Sequence, residues 1–176
     1  DKMGTDLSVV NAARVSYAKV KEEFEESDER LIRYLAEHNH WSPFAHTFLS
    51  FRIKAPVFVA RQLVKHQVGL VWNEESRRYI THDPEIYNIR KWREKPDSSK
   101  QGSGEQILIS TELNLEVNEH LQQGLSLYNR LLLENVAPEQ ARAVLPQSMY
   151  TNWIWSGTLY AFARVCELRL DEHSQK

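Results

Sequence analysis

Residues 47–66 read TFLSFRIKAPVFVARQLVKH, and this stretch contains the change of periodicity on which the fold prediction rests. Over residues 47–54 apolar and polar side chains alternate, which is typical of a strand. Pro56 then suits the first turn of a helix, where a backbone N–H has no helical partner to lose. Apolar residues recur after it at helical spacing. The stretch therefore predicts a strand followed by a helix.

Helices outnumber strands in the rest of the chain. The other predicted elements are a short helix capped by Asp6, a helix from Ser27 to near Asn39, a strand at 76–80, a loop or lid at 91–105, a long helix at 110–135, a short helix from Pro138 to Pro146, a strand at 147–155 and a helix at 158–170. Strands that do not alternate regularly with helices favour an α+β domain over a parallel βαβ sheet.

The composition excludes several classes of function. The net charge is -2, whereas duplex-DNA binders usually carry a basic excess. Cys166 is the only cysteine, which excludes an intramolecular disulfide and a multi-thiolate metal site. No apolar run approaches the roughly 18 residues of a membrane span, and no secretory signal stands at the start. We therefore expect a soluble, cytoplasmic protein that binds neither nucleic acid nor membrane.

The residues at both ends of the chain resemble the interior of a longer sequence. Met3 follows two other residues, and the polar stretch at 172–176 could continue a helix. The length of 176 residues is that of one ordinary domain. We expect a single domain over residues 1–176 that is truncated at one or both ends.

Residues 61–79, RQLVKHQVGLVWNEESRRY, are the most informative for function. The sequence has neither the G-x-G-x-x-G fingerprint nor a P-loop, so a dinucleotide would have to bind without them. If the helix after Pro56 continues, Lys65 and His66 lie in a polar cluster at its end. Either these two side chains simply complement the helix dipole in solvent, or they join the polar residues at 73–78 in holding phosphate, ribose and a base edge.

The same stretch resembles the signature of the flavin-dependent thymidylate synthases. That signature is Arg-His-Arg, seven residues, then Ser, within a run ending Asn-Glu-x-Ser-x-Arg-Tyr; here the first triplet is Lys65-His66-Gln67 and the run ends at 73–79. Further matching blocks are NAARVS at 11–16, HWSPF at 40–44, KAPVFVARQ at 54–62, ARAVLP at 141–146 and LRLD at 168–171, with His173. Two departures stand out: lysine and glutamine replace the two arginines, and the loop to Ser76 is one residue longer.

The resemblance implies an antiparallel sheet flanked by helices, assembled as a homotetramer with active sites between subunits. It implies that the enzyme transfers the one-carbon unit of methylenetetrahydrofolate to C5 of dUMP, with reduced FAD as hydride donor and NADPH as reductant. The implied FAD contacts are Ser42, Lys65, His66, Gln67, Glu74 and Arg164, with His40 near the flavin ring. The implied dUMP contacts are Gln62, Glu74, Ser76, Arg77, Arg78, Arg142 and Arg169.

Arg169 is the implied catalytic residue. Its positive charge would stabilise the negative charge that develops as the uracil N3–H ionises, in the manner of an oxyanion hole. The alternative for this residue is a surface arginine near a helix end. Two other functions remain open at this stage: a flavin-dependent dUMP hydroxymethylase on the same scaffold, motivated by the altered triplet, and a non-catalytic nucleotide- or RNA-binding protein.

The remaining conspicuous side chains have structural interpretations. His38, His40 and His46 have a spacing that suggests a metal site, but a helix end before a proline turn would not bring them together, and we predict no metal. Trp153 and Trp155 lie on one face of a predicted strand and are expected in the core or a subunit interface. Cys166 is expected on the apolar face of the last helix, buried and unreactive.

Overall fold

The computed structural model describes residues 1–96 and 102–170 and confirms the α+β class. The α-helices of the described part are α1 (Asp6–Arg14), α2 (Glu26–Glu37), α3 (Val57–Leu63), α4 (Thr111–Leu133), α5 (Pro138–Ala141) and α6 (Leu159–Arg169). Its strands are β1 (Lys2–Met3), β2 (Phe48–Pro56), β3 (Leu70–Glu74), β4 (Trp92–Arg93), β5 (Gln106–Ile107) and β6 (Tyr150–Thr158). Short 3₁₀ helices lie at Val15–Tyr17, Ser42–His46 and Arg142–Val144.

The strands form one larger and one smaller sheet. The larger sheet has the order β1-β2-β6-β3, and β1 runs antiparallel to β2 with Lys2 opposite Leu49. Strands β4 and β5 form an antiparallel pair at the two ends of the predicted loop at 91–105, of which residues 97–101 lie outside the described part. This antiparallel pairing of strands, in a chain that also contains helices, is the arrangement expected from the sequence.

The contacts divide the chain into two compact units. The first comprises residues 1–52, 66–72 and 154–170. The second comprises residues 53–65 and 73–153, as far as these are described. The single domain over residues 1–176 that the length led us to expect stays a prediction.

Aromatic side chains contribute much of the core. In the first unit Trp155 is buried and meets Trp72 edge-to-face at 5.7 Å and Phe162 at 5.2 Å between ring centroids. In the second unit Trp153 and Tyr128 are among the largest fully buried side chains. The prediction that both tryptophans of β6 belong to the core is therefore confirmed.

The first unit contains a buried ion cluster around Asp28. This carboxylate has no exposed surface and accepts hydrogen bonds from Lys21 Nζ at 2.6 Å, Arg14 Nη2 at 2.9 Å and the Glu25 N–H at 3.0 Å. The bond from Lys21, helped by those from Glu25 and Arg14, lowers the pKa of Asp28 to about 2 against the opposing effect of burial. The cluster thereby ties the end of α1 to the start of α2.

Several boundaries follow the predictions closely. Ser110 caps α4, its hydroxyl accepting from the Leu113 N–H at 3.1 Å, and Thr158 caps α6 in the same way. Helix α2, strand β2 and the proline-initiated α5 also lie where they were expected. At α1 the cap is Thr5 instead of Asp6, because Thr5 and Ser8 form a capping box and Asp6 is the first helical residue.

Two predictions around the signature stretch are wrong. Helix α3 ends at Leu63, so it does not continue to Lys65 and His66, which lie beyond it. The strand of this region is β3 at 70–74, after Gly69, and not the predicted one at 76–80. There the chain turns instead: the Tyr79 N–H donates to the Ser76 carbonyl, and the buried Arg77 donates to the His82 carbonyl.

Two predictions near the end of the chain are also corrected. Strand β6 begins at Tyr150 and not at 147, because the carbonyls of Gln147 and Ser148 accept from Phe58 and Tyr87 N–H groups outside the sheet ladder. Cys166 is exposed and not buried. The buried stripe of α6 is formed by Ala161 and Val165, four residues apart, and Cys166 lies beside that stripe.

The ion cluster predicts how stability depends on pH. Since folding lowers the pKa of Asp28 from its ordinary value of 3.8 to about 2, its contribution to the free energy of unfolding is complete above the ordinary value and is lost as pH falls through the folded one. We expect Asp28→Asn to be clearly less stable than wild type at neutral pH, and this difference to shrink between about pH 4 and about pH 2.

Urea unfolding at a series of pH values measures this difference. Glu29→Gln is the matched control, because the neighbouring carboxylate on α2 forms only an exposed pair with Arg33. A difference between wild type and Asp28→Asn that stays constant down to the acid limit would contradict the structural role of the cluster.

Candidate active site

The segment that follows α3 is held against the start of α6 by a glycine turn. Gly69 has a φ of +73°, a left-handed conformation that favours glycine. Its carbonyl accepts the Thr158 N–H at 3.3 Å, and the Gln67 carbonyl accepts the Leu70 N–H at 3.3 Å. Since α6 begins at Leu159, residues 66–70 lie beside the junction of β6 and α6.

This packing joins two predicted site residues that are far apart in the sequence. Arg169, in the last turn of α6, donates from Nε to Nε2 of His66 at 2.9 Å, and both side chains are partly buried. Burial lowers the pKa of His66 below its ordinary value of 6.5, and the positive charge of Arg169 lowers it further. Nε2 accepts only in the neutral ring, so the imidazole proton resides on Nδ1.

A pocket of about 450 Å³ lies in the first unit between α2, α6 and the chain that follows α2. Trp41 and Tyr160 form part of its wall, their ring centroids 5.6 Å apart and inclined by 40°. Arg164 also lines it, and its Nη1 donates to Glu167 Oε2 at 2.7 Å. A largely apolar concavity with aromatic walls and one guanidinium is a typical binding pocket for a small organic molecule.

The predicted contacts His40 and Ser42 flank Trp41 in the chain, and both are exposed. His40 belongs to a stack with Tyr34, whose ring centroid lies 6.0 Å away. Lys65 and Gln67 are exposed as well. Within the described ranges 1–96 and 102–170 no group of three or more His, Cys, Asp or Glu side chains could hold a metal ion.

The second unit brings together the polar residues at the end of β3. Glu74 Oε1 accepts from the Thr151 hydroxyl at 2.7 Å. Ser76 Oγ accepts from Arg78 Nε at 3.0 Å, and the Arg78 guanidinium carbon lies 5.1 Å from the centre of the Tyr79 ring. These contacts place a carboxylate, a hydroxyl and an exposed guanidinium within five residues of chain.

The other predicted contacts of the second unit are distributed more widely. Gln62 lies on α3, and Arg142 begins the 3₁₀ helix Arg142–Val144, where its Nε donates to the Glu139 carbonyl. Arg77 is buried, and its guanidinium donates to the His82 carbonyl. Asp171 and His173, which belong to the matching sequence blocks, lie outside the described residues.

A family model described as thymidylate synthase complementing protein matches residues 1–176. The chain belongs to this family. Two relatives of this family member are named flavin-dependent thymidylate synthase. The one from Kosmotoga olearia is 41% identical over 98% of this chain and 75% of the relative. The one from Thermosipho africanus is 38% identical over 99% of this chain and 77% of the relative. These names do not favour the hydroxymethylase or the non-catalytic binder.

Solved structures support the same membership. A UMP/dUMP methylase, PolB from Streptomyces cacaoi, bound with 5-Br dUMP, matches with a TM-score of 0.76 and 32% identity, over 96% of this chain and 75% of that one. The α+β fold predicted for the family is thereby confirmed. Among the described residues of this family member, each helix is too short or too polar to span a membrane.

The contact between Arg169 and His66 predicts a measurable change in the histidine. We expect Arg169→Gln to raise the pKa of His66 part of the way towards its ordinary value, because the substitution removes the neighbouring charge but leaves the burial. The glutamine amide retains a hydrogen-bond donor, so the change isolates the effect of charge. An NMR titration of the imidazole resonances gives the pKa, with His66→Gln identifying the signal.

Arg164→Gln serves as the control, because this arginine lies on the same helix but pairs with Glu167. It should leave the titration of His66 unchanged. If Arg169→Gln and Arg164→Gln had the same effect, the assigned contact would be wrong.

Proposed function

We propose that the chain is a flavin-dependent thymidylate synthase that converts dUMP to dTMP. The one-carbon unit comes from methylenetetrahydrofolate, and it is joined to C5 of the uracil ring, which loses its proton. The observation that carries the proposal is the bond between Arg169 and His66. It joins the altered signature triplet to the LRLD block, two of the parts of the sequence on which the resemblance rests.

Arg169 is proposed to make C5 nucleophilic. When the uracil N3–H ionises, negative charge spreads into the ring, and a guanidinium nearby stabilises it. Because Nε is already bound to His66, the guanidinium is held before the substrate arrives and need not reorganise as the charge develops. Neutral His66 is suited to this task, since a protonated imidazole could not accept the bond.

The pocket of the first unit fits part of a flavin nucleotide. Its wall offers the indole of Trp41 and the phenol ring of Tyr160 for a planar ring system, and the guanidinium of Arg164 for a phosphate or carbonyl oxygen. We propose that His40, Ser42, His66, Gln67, Lys65 and Glu74 complete the contacts to FAD. Bound FAD would supply the hydride that reduces the transferred carbon, after NADPH has reduced the flavin.

The replaced arginines of the signature alter this proposed site in a definite way. Lys65 keeps a positive charge but presents a compact ammonium in place of a planar fork, and Gln67 keeps hydrogen-bond donors without charge. Both side chains are exposed and can reach a ligand without disturbing the core. We propose that Lys65 contacts a phosphate as a point charge.

The residues of the second unit are proposed to bind dUMP. Ser76 and Arg78 form a hydrogen-bonded pair suited to a phosphate, and Glu74 offers a carboxylate to N–H or O–H donors. Gln62 and Arg142 are proposed as further contacts. Arg77 is buried, so we propose that it acts through its charge and through the shape of the turn at 76–82.

Assembly and location are further parts of the proposal. We propose a homotetramer with FAD bound at subunit junctions, supported by the family membership of the chain. Light scattering at micromolar concentration tests it, and a flavin-loaded monomer would contradict it. The cytoplasmic location expected from the sequence stays a prediction.

Substitution of Arg169 tests the proposed mechanism. We expect Arg169→Ala to lower the rate of dTMP formation by a factor on the order of 10² to 10³, as when one preorganised charge stabiliser is removed. Folding and the visible flavin spectrum should be retained, because the residue lies in the last turn of α6 and is not part of the buried core. Arg33→Ala, which removes an exposed guanidinium on α2, is the control.

The assay uses purified chain with FAD, NADPH, methylenetetrahydrofolate and dUMP. Unchanged dTMP formation by Arg169→Ala would contradict the catalytic assignment. Absence of flavin bands from both wild type and Arg169→Ala would contradict the proposed cofactor.

A further inference from the structure

Two successive residues of strand β6 each form a side-chain hydrogen bond to a glutamate at or just after the end of β3. The Thr151 hydroxyl donates to Glu74 Oε1 at 2.7 Å, and Asn152 Nδ2 donates to Glu75 Oε2 at 2.9 Å. The Glu75 N–H donates to the Asn152 carbonyl at 2.9 Å. Because successive side chains of a strand point to opposite faces, Thr151 and Asn152 hold their two carboxylates on opposite sides of the sheet.

The contact of Thr151 differs from an ordinary surface hydrogen bond. Thr151 is only 3% exposed, whereas Glu74 is an exposed residue at the end of β3. Water could solvate such a carboxylate without help, so the bond is not needed to satisfy it. The β-branched threonine has a stiff χ1 and is fixed by its burial, so its hydroxyl presents one defined direction to Glu74.

We infer that Thr151 is a positioning residue, whose buried hydroxyl orients the Glu74 carboxylate for binding dUMP. This inference rests on the proposed function, in which Glu74 contacts the nucleotide. A long flexible side chain loses conformational freedom when it binds a ligand. The bond from Thr151 removes part of that freedom before binding, so the nucleotide meets a carboxylate that is already oriented.

The sequence contains no sign of this role. Thr151 lies in a stretch of alternating apolar and polar residues, and threonine is a residue type that is common in strands. Only the pairing of β6 with β3 brings its hydroxyl to Glu74, 77 positions earlier in the chain.

The experiment compares dUMP binding to flavin-loaded wild type and variants by isothermal titration calorimetry. Thr151→Val has a similar shape but lacks the hydroxyl, and we expect it to weaken dUMP binding roughly 10-fold. Thr151→Ser keeps the hydroxyl and should restore most of the affinity. The melting temperature should change little, because water replaces the lost bond at the exposed Glu74. Thr151→Ala gives the same comparison should the added methyl group of valine disturb the packing.

Asn152→Ala is the matched control, because it removes the hydrogen bond from the Asn152 amide to Glu75, a residue with no proposed ligand role. We expect it to bind dUMP like wild type. In the Glu74→Ala background, Thr151→Val should have no further effect on affinity, since the group to be oriented is gone. Such coupling is not expected from a purely structural threonine.

The outcomes separate this inference from the proposed function. Wild-type affinity in Thr151→Val, or an equal loss in Asn152→Ala, would overturn the positioning role while leaving a dUMP-binding enzyme. A wild-type chain that binds no dUMP would overturn the proposed function itself, and the inference with it.

Discussion

The close approach of two backbone segments at Gly157 determines the geometry of the first unit. A Cβ at this position would lie 2.3 Å from the carbonyl oxygen of Gly69, a distance that a side chain cannot occupy. The glycine therefore allows residues 66–70 to lie directly against the end of β6. This contact allows the Thr158 N–H to bond to the Gly69 carbonyl at the residue before α6. It also keeps His66 close enough to α6 to accept a hydrogen bond from Arg169.

The two arginines of the first unit that form key contacts have partners of different kinds. Arg14 binds the buried carboxylate of Asp28, a partner that compensates its charge and fixes the fold. Arg169 donates to a neutral imidazole, which accepts the hydrogen bond without contributing a negative charge. The bond to His66 orients the guanidinium of Arg169.

The sequence predicted elements well where a local signal marks them. Ser110 and Thr158 are helix caps, and Pro138 starts a helix, because each acts through bonds to its own neighbours. The strand after Gly69 was missed because its few residues, 70–74, have no clear alternation. Cys166 was misplaced because helical spacing alone does not show which of two adjacent stripes faces the core.

The candidate site was predictable only as a set of residues. The resemblance supplied Arg169 and His66, but no pattern in the sequence indicates that one donates to the other across 103 positions. Thr151 was absent from that set, since its role depends on the neighbouring strand. Distances between residues of the sheet and of distant helices are set by tertiary packing, which periodicity does not encode.

Mass spectrometry of the nucleotide product shows whether the chain methylates dUMP in a flavin-dependent reaction. Purified chain is incubated with dUMP, methylenetetrahydrofolate, NADPH and FAD, and the product is compared with the same reaction lacking flavin. We expect a product heavier than dUMP by one methylene unit, formed only when flavin is present. A hydroxymethylated product, or unchanged dUMP from a folded and flavin-loaded chain, would contradict it.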